Sequence, residues 1–513
     1  MGPASVRDAN ARRARAVPET LVQQTLAIDR ISARTVVAAV VAYVVLLMVL
    51  RLSLSPYLEI DEAQFFGQVD FRLVYANSHP PLYNWVLRLV LEATGWNWPL
   101  SVALVKGVLL AAIHLLVFDA ARRIGGVPAG IGALAVAALC PQISWMAAHT
   151  LAHTVMVMAG CAGIVHAAVV IWQRPRALAF VWLGVAASIA MLAKFNGAIL
   201  LGAAAVVALS TPERRAAAWR HRGGVALAAV VFAVLTGPSL VAAGLAIEAS
   251  TGRLSKLFRP TWASAGALPG VGSDGASLLT VGARAWGAAA LGILALTAQV
   301  ALPGPLKCWR NALVATVAVG FGATLVGVLV SDGRQMPERY LSPFFMPLPV
   351  AAGLALTAFR WRAVVRLAGG VAFVAVPIGV AGMVLFDKHR FAYPHGELAL
   401  AIAPDLPEGT LAVWGGRPDF AANMTLALRR AGRMAHAAED RMAPGADHVL
   451  IVWQGGEVPG SDEVDRPFDE CRPGPVATRP YRYFSGRTLS VATELCRPRS
   501  LATSSGPTET RPL

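Results

Sequence analysis

The chain is 513 residues long, 56% hydrophobic and only 15% charged, with a mean hydropathy of +0.56. That is more apolar surface than a soluble core of this size can bury, which excludes an ordinary water-soluble globular protein. The net charge of +15 would suit a nucleic-acid partner, but the cations are not gathered into a stripe beside exposed aromatics, so nucleic acid is not an expected partner.

Residues 1–34 form a basic segment, with Arg12, Arg13, Arg15, Arg30 and Arg34 ahead of the first apolar run. No short apolar segment with a small-residue cleavage site follows Arg12 and Arg13, so the first helix reads as a retained anchor. A helix that crosses a bilayer needs about 20 mostly apolar residues. Such runs recur over residues 35–386, at 35–54, 100–121, 127–147, 151–172, 177–193, 195–209, 225–247, 279–302, 312–330, 341–359 and 367–386. The expected architecture is therefore a polytopic α-helical membrane protein with about eleven transmembrane helices. The two runs flanking Lys194 are short; if they form one helix, the count becomes even and the C-terminal region changes side.

Every second loop is basic: Arg122 and Arg123, Arg174 and Arg176, Arg214, Arg215, Arg220 and Arg222, Lys307 and Arg310, then Arg360, Arg362 and Arg366. By the positive-inside bias these loops, and residues 1–34, are cytoplasmic. The complementary loops then face outward: 55–99, the turn at Lys194, 249–277, 331–340 and everything after 386. In a bacterium this places the protein in the inner membrane, with those loops periplasmic.

Within the first outward loop, Asp61 and Glu62 stand near the exit of the first span. A short helix is expected to begin near Asp61, with Phe65, Phe66 and Val69 turned toward lipid. His79, Pro80, Pro81, Leu82 and Tyr83 follow. After the prolines Leu82, Trp85, Val86, Leu89, Val90 and Ala93 recur at helical spacing while Asn84, Arg88 and Glu92 take another face. This is an amphipathic helix, too short and polar to span, that should lie along the membrane surface.

Five cysteines bear on sidedness. Cys140 and Cys161 sit in apolar runs and Cys308 beside a basic loop, which suits reduced thiols. Cys471 and Cys496 are the pair in the tail; a disulfide between them needs an oxidising compartment, and the alternative is two free thiols. From Asp387 onward Pro, Gly and charge increase. Residues 410–414 and 448–453 read as strands and 419–431 as helix-like, so 387–499 is expected to be a small outward-facing α/β domain and 500–513 a disordered tail.

Several chemistries find no support. His149 and His153, four apart at the outward ends of two spans, would share a helical face and could take a metal, but no third ligand or HExxH accompanies them. A divalent metal is therefore not expected. No Asp-x-Asp pair supports a metal-bound sugar nucleotide, and no Walker loop supports an ATP-driven pump.

The first-loop pattern of Asp-Glu-Ala followed by His-Pro-Pro-Leu-Tyr-Asn-Trp resembles the membrane glycosyltransferases of the GT-C fold. More narrowly it is similar to the family 39 and aminoarabinose-transferase group, including the rhizobial lipopolysaccharide galacturonosyltransferases. Lys106, Ala121-Arg122-Arg123, Pro141-Gln142-Ile143-Ser144-Trp145, Leu192-Ala193-Lys194-Phe195-Asn196 and Arg339-Tyr340-Leu341-Ser342-Pro343 extend the resemblance across residues 35–360. The resemblance implies a GT-C transmembrane domain over 35–386 and transfer of a monosaccharide from a polyprenyl phosphate to an envelope acceptor on the outward face, with lipid A or core lipopolysaccharide favoured. The partners implied are membrane lipids, the lipid-linked sugar and a glycolipid or glycan acceptor, with the lipid-linked sugar as donor substrate in place of a certain cofactor.

It also implies a base at Asp61. An attacking hydroxyl must lose its proton and the departing phosphate needs positive charge, so one direct displacement inverts the anomeric centre. Glu62 points roughly 100° away on a helix and is assigned to acceptor binding or to structure. For both acids the alternative is capping a surface helix. Lys194 and Arg339 are the leading phosphate contacts, with a snorkelling anchor as the alternative for each. His79 stands where the aminoarabinose transferases are expected to carry an acidic-basic pair. It and Tyr340 complete the phosphate set, a structural or solvated loop histidine being the alternative for His79, while Tyr83, Lys256 and Arg259 are assigned to the acceptor or, with Trp262, to a lid. Rival readings are a carrier or flippase for a lipid or anion, and an assembly subunit whose tail docks a partner.

Overall fold

The computed structural model describes residues 33–66, 68–73, 75, 80–249, 293–330, 341–359, 390–415, 417–438, 445–455 and 469–498, with isolated positions between 370 and 382. The expected spans at 279–302 and 367–386 lie largely outside these residues. Helix α1 (Ala33–Leu54) is followed by the short α2 (Ile60–Ala63), α3 (Leu82–Ala93), α4 (Trp98–Leu139), α5 (Trp145–His149) and α6 (His153–Gln173). Next come α7 (Ala177–Ala193), α8 (Gly197–Leu209), α9 (Pro212–Arg220), α10 (Arg222–Ala249), α11 (Gly304–Val330) and α12 (Pro347–Leu356). Among the described residues five helices are long and apolar enough to cross a membrane, and α7, α8 and α12 are shorter apolar helices.

At 42 residues, α4 would be about 63 Å long if straight, twice a bilayer's hydrocarbon core. It is not straight: Gly125 and Gly126 leave helical geometry, and Gly126 has φ +77°, a conformation that glycine adopts without Cβ strain. A Cβ built on Gly130 would come within 2.8 Å of the Phe118 ring, so the chain doubles back and α4 is a helical hairpin. Its second arm stops at Leu139, short of the expected 147, because Pro141 cannot continue the ladder. That arm packs backbone to backbone on α12, where a Cβ on Gly353 would stand 2.5 Å from the Ala129 carbonyl oxygen. Such close approach through small residues is how helices associate in lipid. At Lys194 the backbone is extended (φ −165°, ψ 134°), so α7 and α8 are separate helices.

Beyond residue 390 the chain forms α13 (His395–Ile402), α14 (Pro418–Arg430) and a sheet of β1 (Leu411–Gly415), β2 (Ala435–Ala437), β3 (His448–Gln454), β4 (Asp469–Pro473), β5 (Ala477–Tyr481) and β6 (Phe484–Arg497). The order is β2-β1-β3-β6-β4, with β5 also on β6. β1 pairs in parallel with β2 and β3, and β6 runs antiparallel to β3. β1 and β3 are near-continuous apolar runs because both faces are covered: Leu411, Val413, Leu450 and Val452 face Leu398, Phe420 and Met424, while Ala412, Val449 and Ile451 pack with Trp453. Cys471 and Cys496 are joined by a disulfide.

Candidate active site

Helix α2 is only four residues long and depends on its cap. The Glu59 side chain caps the helix start and the Glu62 side chain returns to the Glu59 N–H, a reciprocal capping box. Glu62 does more than cap. Its Oε2 accepts from Arg51 Nη2 at 2.7 Å and from the Glu59 N–H at 2.9 Å, and its Oε1 accepts from Lys106 Nζ at 2.5 Å. Arg51 also donates to the Ser55 and Tyr57 carbonyls and lies 4.4 Å over the Phe391 ring. Burial alone would raise the Glu62 pKa, but the Arg51 and Lys106 charges outweigh it and hold the carboxyl at about 2. With all three side chains buried, this is a lock between α1, α2 and α4.

Asp61, immediately before the lock, is 5% exposed. Gln64 Nε2 donates to the Asp61 carbonyl at 3.1 Å and lies 3.4 Å from His153 Nδ1, at the start of α6. Thr154 then accepts from Lys194 Nζ at 3.4 Å. Asp61, Gln64, His153, Thr154 and Lys194 are thus linked by successive contacts or chain neighbours around one end of the helices. Lys194 is buried at the α7–α8 break, where helix geometry is given up and a cation is retained in an apolar setting that tolerates it only near a partner or anion.

The aromatics of the loop pack inward, not toward lipid as the sequence suggests. Phe65 is 5.0 Å from Tyr83 and 5.6 Å from His153, and Phe66 is 4.5 Å from Trp98, ring centre to ring centre. Phe65, Phe66 and Val69 are all buried, and this packing helps to fix a segment that has little regular structure. Tyr83 is buried too, forming part of the floor behind Phe65. Its hydroxyl has no hydrogen-bond partner among the described residues, and burial, with the nearby Glu62 and Asp61 charges, raises its pKa. Helix α3 buries Tyr83, Asn84, Leu87 and Leu91 in the protein, packs Leu82, Val86 and Val90 partly against the same core and leaves Leu89 exposed.

The C-terminal region grips the same loop. Asn423 on α14 takes both backbone groups of Leu58, accepting from its N–H and donating to its carbonyl, each at 2.8 Å. Arg430 donates to the Pro56 carbonyl and Tyr483 to that of Leu54. The sheet therefore sits at the Asp61 end of the helices.

His149 and His153 do not share a helical face. Residues 150–152 separate α5 from α6; His149 stacks on Trp145 while His153 meets Phe65. Among the described residues no group of three His, Cys, Asp or Glu could hold a metal. His79, Lys256, Arg259, Trp262, Arg339 and Tyr340 lie outside the described residues. Sequence reasoning missed Arg51 and Asn423 and gave Lys106 no partner. The first and last left a signal, since a cation inside an apolar run requires an anion, and Glu62 was available.

The family model described as dolichyl-phosphate-mannose-protein mannosyltransferase matches residues 78–241. The lipopolysaccharide core galacturonosyltransferase RgtA of Rhizobium johnstonii is 30% identical over 456 residues, covering 81% of this chain and 85% of that protein. RgtB of the same organism, also named a lipopolysaccharide core galacturonosyltransferase, is 26% identical over 315 residues, 61% of this chain and 63% of its own. In fold, the chain is similar to ArnT from Cupriavidus metallidurans bound to undecaprenyl phosphate, with TM-score 0.54 and 15% identity, covering 90% of this chain and 98% of that one.

Proposed function

Because this chain belongs to the membrane glycosyltransferases of the GT-C fold, in the group of the rhizobial lipopolysaccharide core galacturonosyltransferases, we propose that it moves one sugar from a polyprenyl phosphate to lipid A or core lipopolysaccharide, with Asp61 as base. The observation that carries the assignment is the Glu62 lock. A carboxylate held near pKa 2 by Arg51 and Lys106 is a poor proton acceptor at neutral pH, and both its oxygens are engaged. Of the adjacent acids, Asp61 is the one given the chemistry, and Glu62 holds it in place. The base takes the acceptor hydroxyl's proton as the oxygen attacks the anomeric carbon, and the lipid phosphate leaves from the opposite face with inversion.

Lys194 is assigned to the leaving phosphate, where a fixed cation stabilises charge as it develops. Arg339, His79 and Tyr340 are proposed to complete that contact, with Lys256 and Arg259 at the acceptor side and Tyr83 as the floor beneath it. The names of the curated relatives favour galacturonic acid, and an anionic sugar suits these cations. The disulfide at Cys471 and Cys496 supports an oxidising, periplasmic location for the sheet and, through Asn423, for the Asp61 end of an inner-membrane protein of about eleven spans.

The test is mass spectrometry of envelope lipids from a gene deletion, from the deletion restored with wild type, and from the deletion restored with Asp61→Asn at matched expression. A sugar mass lost in the deletion, regained with wild type and not regained with Asp61→Asn is the expected result; restoration by Asp61→Asn removes Asp61 as base.

A further inference from the structure

At the other end of the helices, α6, α7, α8, α9 and α11 enclose a second feature. It is a cavity of about 470 Å³, within the roughly 300–1,000 Å³ of ordinary ligand sites. Its walls are apolar, with Ile164, Leu183, Leu200 and Leu313 among them, while Arg214, Arg220 and His221 stand in its lining and, among the described residues, no Asp or Glu does. Trp172 and Trp309 also line it, edge to face at 5.9 Å. His153 opens α6 and the cavity lies along that helix from Ile164 to Trp172, so its near edge is about 17 Å and its far rim about 30 Å from His153 along the helix axis.

Helix α9 marks the depth of the rim. It buries none of its residues, and its Trp219 is 70% exposed with the Arg222 guanidinium 5.5 Å over the ring. A short basic helix with an exposed tryptophan belongs at the headgroup level of a bilayer. Arg214 is fixed there by donating to the Val207 carbonyl at 3.0 Å, so one cation is anchored at the rim rather than swinging in solvent.

We propose that this cavity binds an acyl chain of an anionic glycerophospholipid from the leaflet opposite the active site, with Arg214 and Arg220 holding its phosphate. Hydrocarbon walls accept the chain, and a lining with cations and no acid complements a net negative headgroup. A zwitterionic lipid brings its own cation and forfeits that complementarity. Basic pockets between membrane helices hold anionic headgroups for this reason.

Native mass spectrometry of the detergent-purified full chain, titrated with phosphatidylglycerol or phosphatidylcholine, tests it. Wild type should retain phosphatidylglycerol about tenfold better, Arg214→Ala/Arg220→Ala should lose the preference, and Ala168→Phe should lose bound lipid of both kinds. Independently of any variant's folding, a photoreactive acyl phosphatidylglycerol should crosslink to cavity residues of the wild type. Equal retention of the two lipids, a preference that survives the double substitution, or crosslinks confined to outer helix faces would overturn the proposal. Displacement of phosphatidylglycerol by equimolar undecaprenyl phosphate would overturn it as well, by making the cavity a polyprenyl site.

Discussion

Glu62→Gln separates the two adjacent acids. The substitution keeps the shape of the side chain and its contact with the Glu59 N–H, but leaves Arg51 and Lys106, 2% and 0% exposed, facing a neutral amide. The drop of the Glu62 pKa from 4.5 to about 2 corresponds to about 3 kcal/mol of stabilisation of the ionised form. Removing one partner of a buried ion pair costs roughly 3–5 kcal/mol. Against a total of about 5–15 kcal/mol that is a large fraction, so the variant should melt well below wild type by fluorescence-detected size exclusion. Asp61→Asn should melt with the wild type and transfer nothing. Acid gives the same answer with the sign fixed. The folded value lies below the unfolded one, so the contribution is complete above about pH 4.5 and drains away as pH falls toward about 2. A Glu62→Gln protein with wild-type melting, wild-type acid sensitivity and undiminished transfer would refute the lock.

Two further outcomes bear on the C-terminal sheet. His395 lies 4.9 Å from Tyr57 and 5.3 Å from Phe420, ring to ring, and burial lowers its pKa from 6.5 to about 3, so the unfolded chain takes the proton first and stability falls from about pH 6.5 down to about 3; His395→Phe should flatten that limb of the melting curve, and an unchanged slope counts against it. Cys471→Ser opens a crosslink across 25 residues, worth about 3.5 kcal/mol in the chain-entropy model, so it and reductant should each lower the melting temperature and not add; additive losses would place the reductant's effect elsewhere.

What could be read from the chain was whatever rests on local pattern. Pro80 and Pro81 followed by a 3.6-residue apolar period give α3 at Leu82–Ala93, and a lysine in an apolar run gives the break at Lys194. Runs of β-branched and aromatic residues give β1 and β3. Periodicity says that Phe65 and Phe66 form an apolar face, but not what covers it, and protein covers it where lipid was expected. The four-residue spacing of His149 and His153 implies a common helix, which the non-helical residues 150–152 deny. The lock needs Arg51, Glu62 and Lys106, with partners 11 and 44 residues apart, and the Asn423 contact crosses 365. Pairings over such separations are set by the packing of whole helices, which no local window contains.

The loop that carries Asp61 is held from below by two cations, from the side by Phe65 and Phe66, and from above by Asn423. The base proposed at Asp61 must be within reach of its proton in one geometry, and misplacement by about 1 Å can cost a hundredfold, so on that reading a segment with four helical residues needs external fixing. Asn423→Ala removes the upper hold alone. It leaves the buried N–H and carbonyl of Leu58 without these partners, at about 1–3 kcal/mol for each group left unsatisfied, and the strain is relieved most cheaply by movement of residues 55–60. Transfer should therefore fall through kcat, with KM for the lipid donor little changed, because Lys194 and Thr154 are untouched. Asn423→Asp should fail to rescue, since a carboxylate can accept from the Leu58 N–H but cannot donate to its carbonyl. If Asn423→Ala instead raises KM and leaves kcat intact, α14 shapes donor binding rather than the position of Asp61, and the view of the C-terminal sheet as a brace for the catalytic loop falls.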